Sequence, residues 1–290
     1  MPNWFLFVVP SLIWGTTWLV IKFQLGLVSP EVSVVYRFGL GALLLFAWCS
    51  LTRRSLRFDL RSHASFLLLG VLQYALNYVL LYLSERTVTS GLLAVIFVLA
   101  LAWNLLGARW LFGNPLPLRL LAGACFGMLG VSLMFWPELS RAPGQWGGIL
   151  LGVLATFSAS AGSLWAQRVY ARDVAVAPST AWAMLYATVA VAAYCKLKGL
   201  PFTFDHSRAY LASLLYLAVF GSVIAFIAYM TLLQRVGAGP AGYTAAVVPV
   251  LAMATSTLFE GYHWSALTLL GMGLVLVGSI WVLRERQRAR

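Results

Sequence analysis

A chain of 290 residues that is 61% hydrophobic and 10% charged, with a mean hydropathy of +0.87, is not a soluble globular domain; charged residues ordinarily make up about a quarter of such a domain. The formal charge of +12 does not point to nucleic acid, because the Lys and Arg residues lie in short connections between apolar runs and not on one amphipathic surface. Cys49, Cys125 and Cys195 stand singly without CxxC spacing, which argues against a metal site or disulfide framework and for structural thiols.

A bilayer core about 30 Å thick is crossed by roughly 20 apolar helical residues. On that measure ten spans follow one another: 3–24, 32–52, 64–84, 90–112, 117–136, 146–167, 179–197, 210–233, 240–259 and 265–283. The first opens with MPNWFLFVVPSLIWG, which has neither a basic residue ahead of the apolar run nor a cleavage pattern, so it reads as a span and not a signal peptide. No connection is long enough for a separate soluble domain. The expected fold is an all-α membrane protein.

Arg53, Arg54, Arg57, Arg61, Arg109, Arg119, Arg168, Arg172, Arg235 and the tail arginines 284, 286, 288 and 290 fall on one side of this arrangement. Arg86, Arg141, Lys196, Lys198 and Arg208 fall on the other. Basic residues gather in cytoplasmic loops, so both termini are expected inside.

Residues 91–113, GLLAVIFVLALAWNLLGARWLFG, have a counterpart of equal length at 239–261, GPAGYTAAVVPVLAMATSTLFEG, at an offset of 148. The same offset lays Leu121 and Gly123 on Leu269 and Gly271, and Gly130 on Gly278. A duplication is therefore expected, with a first five-helix repeat over 1–138 and a second over 144–290. Because each half has an odd number of spans, the second must be inverted relative to the first. Inverted repeats are the architecture of many secondary transporters, whose substrate site lies near the midplane.

Trp14-Gly15 followed by Lys22, then Tyr36-Arg37-Phe38, then Pro249 followed by Phe259-Glu260-Gly261, together with glycine-spaced fifth and tenth spans, resemble the drug/metabolite transporter superfamily. The closest likeness is to its EamA-like ten-helix members, over nearly the whole chain. The resemblance implies a carrier of the bacterial cytoplasmic (inner) membrane, most often an exporter of amino acids or other small metabolites. The aromatic content is similar to that of the family's aromatic amino acid exporters. One departure concerns the fourth span, where the family often has a proline and then a glutamate, and this chain has Leu101 and Phe112. A fourth helix straighter than the ninth is expected.

Candidate pathway residues are polar or aromatic groups inside apolar spans, where an unsatisfied polar group costs several kcal/mol. Tyr74, Tyr78 and Tyr82 recur at i, i+4 and i+8 on one helix face, with Gln73 and Asn77 on the adjoining stripe. They line a path or bond neighbouring helices, and Tyr82 also fits an interfacial belt. Trp18 and Trp165 fall on matched first helices, and Trp103 and Tyr243 on the fourth and ninth. Such rings would wall a pocket for a planar apolar solute, or else pack the core or face lipid. Trp4, Trp48, Trp110, Trp136, Trp264 and Trp281 lie near span ends and read as belt residues. Pro249 is the candidate hinge of the ninth span.

All eight Asp and Glu residues and all three His lie in loops or at helix ends, so a buried proton relay has no evident components. Lys22 and Arg37 are placed to attract a substrate carboxylate or, the plainer reading, to snorkel to headgroups. A membrane enzyme would need convergent nucleophile, base or metal ligands, and none stand out, so no catalytic residue, metal or cofactor is expected. The expected partners are a small-molecule substrate and membrane lipid, not nucleic acid. A monomer is a sufficient unit, and a facilitative channel stays open as an alternative to a carrier.

Overall fold

The structure, a computed structural model, describes residues 1–113, 122, 123, 125, 126, 129, 130, 133, 145–245, 248, 249, 257, 258 and 264–288, of which 279–288 by backbone alone. Every regular element among them is helical. Among the described residues seven helices are long and apolar enough to cross a membrane: α1 Asn3–Lys22, α2 Pro30–Leu51, α3 Leu60–Glu85, α4 Ser90–Phe112, α5 Trp146–Tyr170, α6 Val176–Leu197 and α7 Arg208–Val236. A short turn, α8 Ala238–Ala241, follows, and the last helix, α9 Ala266–Arg288, is apolar through Gly278. The expected spans 117–136 and 240–259 lie largely outside the described residues.

Local chemistry explains the boundaries. Pro30 opens α2 at a position where its missing N–H costs nothing. Asp59 accepts from the Ser62 amide at 3.1 Å to cap α3, and Ser207 accepts from the Tyr210 amide at 3.2 Å to cap α7. Two helices change their winding in mid-course. α3 is π-helical over Val71–Leu76, and α7 over Leu217–Ile224. Such segments rotate the side chains that follow and are frequent at functional sites.

The fourth helix changes its winding as well. It is interrupted between Ser90–Ile96 and Leu99–Phe112, and the amides of Val98, Ala100 and Leu101 bond carbonyls three residues back. The helix tightens there without a proline, and the ninth span with which it was to be compared is only partly among the described residues.

α2 packs against α6, α1 against α7, and α5 against both α3 and α4. Among the described glycines the tightest approach to another helix's backbone is at Gly70, where a Cβ would collide with the Ala183 carbonyl of α6. A Cβ on Gly130 would likewise strike the Gly271 carbonyl, as expected of glycines that let spans approach closely. Phe38, Phe66, Leu69 and Tyr74 are fully enclosed, while Leu43, Phe157 and Leu215 point outward. Trp4, Trp48, Trp110 and Trp264 are all exposed, as belt residues should be, and the Trp136 and Trp281 side chains lie outside the described residues.

Candidate functional site

Inside this bundle α1, α3, α4, α5, α7 and the segment after α8 line a cavity of about 90 Å³. α1 contributes Trp14, Thr17 and Trp18; α3 contributes Gln73, Asn77 and Tyr78. Opposite them stand Phe97 and Asn104 of α4, Ser163 of α5, and Phe226 and Tyr229 of α7. Gly242 and Thr244 close the side beyond α8. These are interior positions of their helices, so the cavity lies well within the apolar depth of the bundle.

Aromatic edges form most of the wall. Trp18 meets Phe97 at 4.9 Å between ring centroids, and Trp14 meets Phe226 at 5.1 Å and Tyr229 at 5.2 Å. Tilted or edge-on contacts at these distances are the favourable ones. Polar groups run between the rings. The Ser163 hydroxyl lies 3.1 Å from the Tyr229 hydroxyl and donates to Gln73 Oε1 at 3.4 Å, and Ser160 donates to Asn104 Oδ1 at 2.8 Å. Asn77 Nδ2 donates to the Gln73 carbonyl at 3.1 Å, which orients the amide.

Two polar atoms of the wall are left over. Trp18 Nε1, a donor, and Asn77 Oδ1, an acceptor, have no partner among the described residues, although their side chains are 5% and 3% exposed. A buried group left in that condition costs about 1–3 kcal/mol. Both atoms are covered in this form, so a solute meets them only where the wall shifts.

Behind Tyr78 lies a charge. Arg37 of α2 is fully buried, with Nε donating to Ser222 Oγ at 2.9 Å and Nη1 to the Tyr82 hydroxyl at 3.3 Å. Tyr82 in turn donates to Gln24 Oε1 at 2.8 Å. The guanidinium carbon lies 4.6 Å from the Tyr78 ring centroid. Snorkelling to the headgroups is therefore corrected for Arg37, because α7 and α3 cover α2 at this level. Lys22 does not reach for lipid either; its Nζ donates to the carbonyls of Glu85 at 2.9 Å and Val88 at 3.2 Å.

Of the residues singled out in the sequence, Trp18, Gln73, Asn77 and Tyr78 line the cavity. Tyr74 packs behind the wall against Phe38 and Phe226, and Tyr82 serves Arg37. Trp103 donates to Thr156 Oγ1 at 3.1 Å and Trp165 to the Ser65 carbonyl at 3.0 Å, both at helix contacts away from the cavity. Tyr243 sits between two lining residues but turns toward Leu101 and Leu105. Pro249 is buried and helical, and the residues 250–256 that a kink would redirect lie outside the described ones. Trp14, Asn104, Ser163 and Tyr229 also line it and were not among the candidate pathway residues. Asn104 and Ser163 carried a usable signal as polar residues within apolar runs.

The chain is 27% identical over 269 residues to an uncharacterized transporter YdfC of Bacillus subtilis, covering 92% of this chain and 86% of that protein. It is 29% identical over 273 residues to the uncharacterized inner membrane transporter YedA of Escherichia coli K12, covering 93% and 87%. One protein solved by crystallography has the same fold, with a TM-score of 0.73 over 98% of this chain and 97% of its own at 18% identity. The model of the EamA-like transporter family matches residues 2–136 and 146–284. These matches take in every helix that walls the cavity, and the chain belongs to the EamA-like transporter family of multi-pass membrane transporters.

Proposed function

We propose that the chain is a secondary carrier that exports small metabolites, foremost amino acids with aromatic or other hydrophobic side chains, by alternating access at this cavity. The observation that carries the reading is the cavity itself: an aromatic chamber among α1, α3, α4, α5 and α7, with an unpartnered donor and an unpartnered acceptor on its lining residues. Aromatic edges suit an apolar side chain, and the two polar atoms suit a polar head group.

Alternating access rests on the reading of two inverted five-helix halves. Three observations support it. The family match falls in two stretches, 2–136 and 146–284. The π-helical segment of α3 falls on that of α7 when shifted by 147 residues, near the offset read in the sequence. The packing of α1 on α7 has a counterpart in α5 on α3, as exchange of the halves requires. A chamber of about 90 Å³ holds a few waters. A solute as large as tryptophan needs it to widen, which a carrier that changes shape during its cycle provides.

The same reading gives ten spans with both termini cytoplasmic, in a bacterial inner membrane like that of the YedA relative, and a monomer as the working unit. The test is counterflow of labelled tryptophan in liposomes holding the purified protein, with phenylalanine, threonine and a sugar as competitors. Saturable exchange inhibited by phenylalanine but not by the sugar supports the reading. Flux that neither saturates nor shows counterflow favours the channel.

A further inference from the structure

Arg37 presents a problem that the carrier reading leaves unexplained. A charge inside a bilayer is expensive and normally paired. Yet Arg37 is fully buried, and among the described residues its partners are two hydroxyls and two aromatic faces, with no carboxylate. Glu85, the buried acid of α3, takes Ser90 Oγ on Oε1 at 3.0 Å. The remaining guanidinium nitrogen, Nη2, has no hydrogen-bond partner among the described residues.

The geometry places that nitrogen one side chain behind the cavity wall. A Cβ on Gly221 would lie 3.0 Å from Arg37 Nη2 and 3.0 Å from the Thr17 methyl, and Thr17 lines the cavity. Gly221 leaves the room that the guanidinium fills. Tyr78, the wall residue on the other side, lies under the guanidinium plane. A buried cation with a spare donor, separated from a solute chamber by one tyrosine ring and one threonine methyl, is a recognition group held behind a cover.

We propose that Arg37 is the charge-selecting residue of the cavity, recognising the carboxylate of the transported solute from behind Tyr78 and Thr17. The proposal rests on the carrier reading and adds the substrate class: solutes with a carboxylate and an apolar body. Trp18 Nε1 supplies a second donor for that carboxylate, and Asn77 Oδ1 an acceptor for an amino group. The solute's negative charge would complete an ion pair that Arg37 does not make among the described residues.

The experiment compares labelled tryptophan with tryptophan carboxamide, which keeps the side chain and amino group and loses the acid. Both are measured by counterflow in liposomes of the wild type, R37Q and R37K, each first shown to elute as a single folded species. A charge-assisted contact in a dry site is expected to favour the acid by about tenfold or more in the wild type. R37Q should bring the ratio to about one with the carboxamide still carried, and R37K should restore part of the preference.

Equal exchange of acid and amide by the wild type would overturn the selection role and leave the carrier reading intact. So would an unchanged preference in R37Q, or equal loss of both solutes in R37Q and R37K. Exchange of neither solute by folded wild type would overturn both.

Discussion

The guanidinium of Arg37 lies 4.6 Å from the centroid of Tyr78, and Tyr78 is part of the cavity wall. A desolvated cation over a tyrosine face is worth up to about 2 kcal/mol. The position of the ring and the position of the charge are therefore coupled: a solute that displaces one alters the other.

Tyr78→Phe keeps the ring and should retain most of the transport. Tyr78→Ala removes wall and cover together and should lower counterflow by about tenfold or more, at equal protein per vesicle. Trp48→Ala, on a side chain that is 55% exposed, should change it little. Equal losses at Tyr78 and Trp48 would mean that the wall has been confused with the belt.

Trp165→Ala should act differently, because its indole holds the Ser65 carbonyl and not the cavity. The expected result is a lower unfolding temperature in detergent with transport per folded molecule mostly kept. A stable Trp165→Ala protein that fails to transport would return Trp165 to the pathway.

The two leftover atoms of the wall make a sharper case. Trp18→Phe deletes an unpaired donor without creating another, so stability should stay level or rise, since an orphaned buried group is itself a cost. Solute affinity should fall by roughly fivefold to tenfold for the loss of one hydrogen bond. Thermal unfolding and the half-saturating concentration for counterflow, read on one preparation, check both halves; affinity unchanged in the variant would remove Trp18 Nε1 from the site.

Gly70→Ala tests the close packing of α3 on α6. A Cβ there meets the Ala183 carbonyl, so α3 and α6 must separate, at about 1–3 kcal/mol. Gly147→Ala, whose Cβ would meet nothing within 4 Å, is the control and should be neutral. Equal unfolding temperatures for the two variants would contradict the close approach.

For Pro249→Ala we expect slower turnover with the half-saturating concentration largely kept. An unchanged rate would remove the hinge.

Hydropathy made the seven long helices legible to within a few residues, because length and apolar content are local properties. The site was legible only in part. Trp18, Asn77 and Tyr78 stood out as ring or amide groups in apolar spans, but so did Trp103 and Trp165, and residue type does not say which way a side chain points. The π-helical segments Val71–Leu76 and Leu217–Ile224 turn the residues beyond them, including Tyr78, Phe226 and Tyr229. That winding is a matter of backbone hydrogen bonds and leaves no mark in a side-chain pattern. Arg37 was misplaced for a related reason: nearness to a helix end in sequence says nothing of the neighbouring helices that cover it.

The central claim is that one cavity opens in turn to each side of the membrane. Ala159→Cys places a thiol in the cavity wall at little change in volume, and a chain with Cys49, Cys125 and Cys195 replaced supplies the silent background. The account predicts that a membrane-impermeant thiol reagent labels this single cysteine from the cytoplasmic side and, in a separate population, from the outside, with tryptophan slowing both reactions. Labelling from one side alone, whatever solute is present, would contradict it.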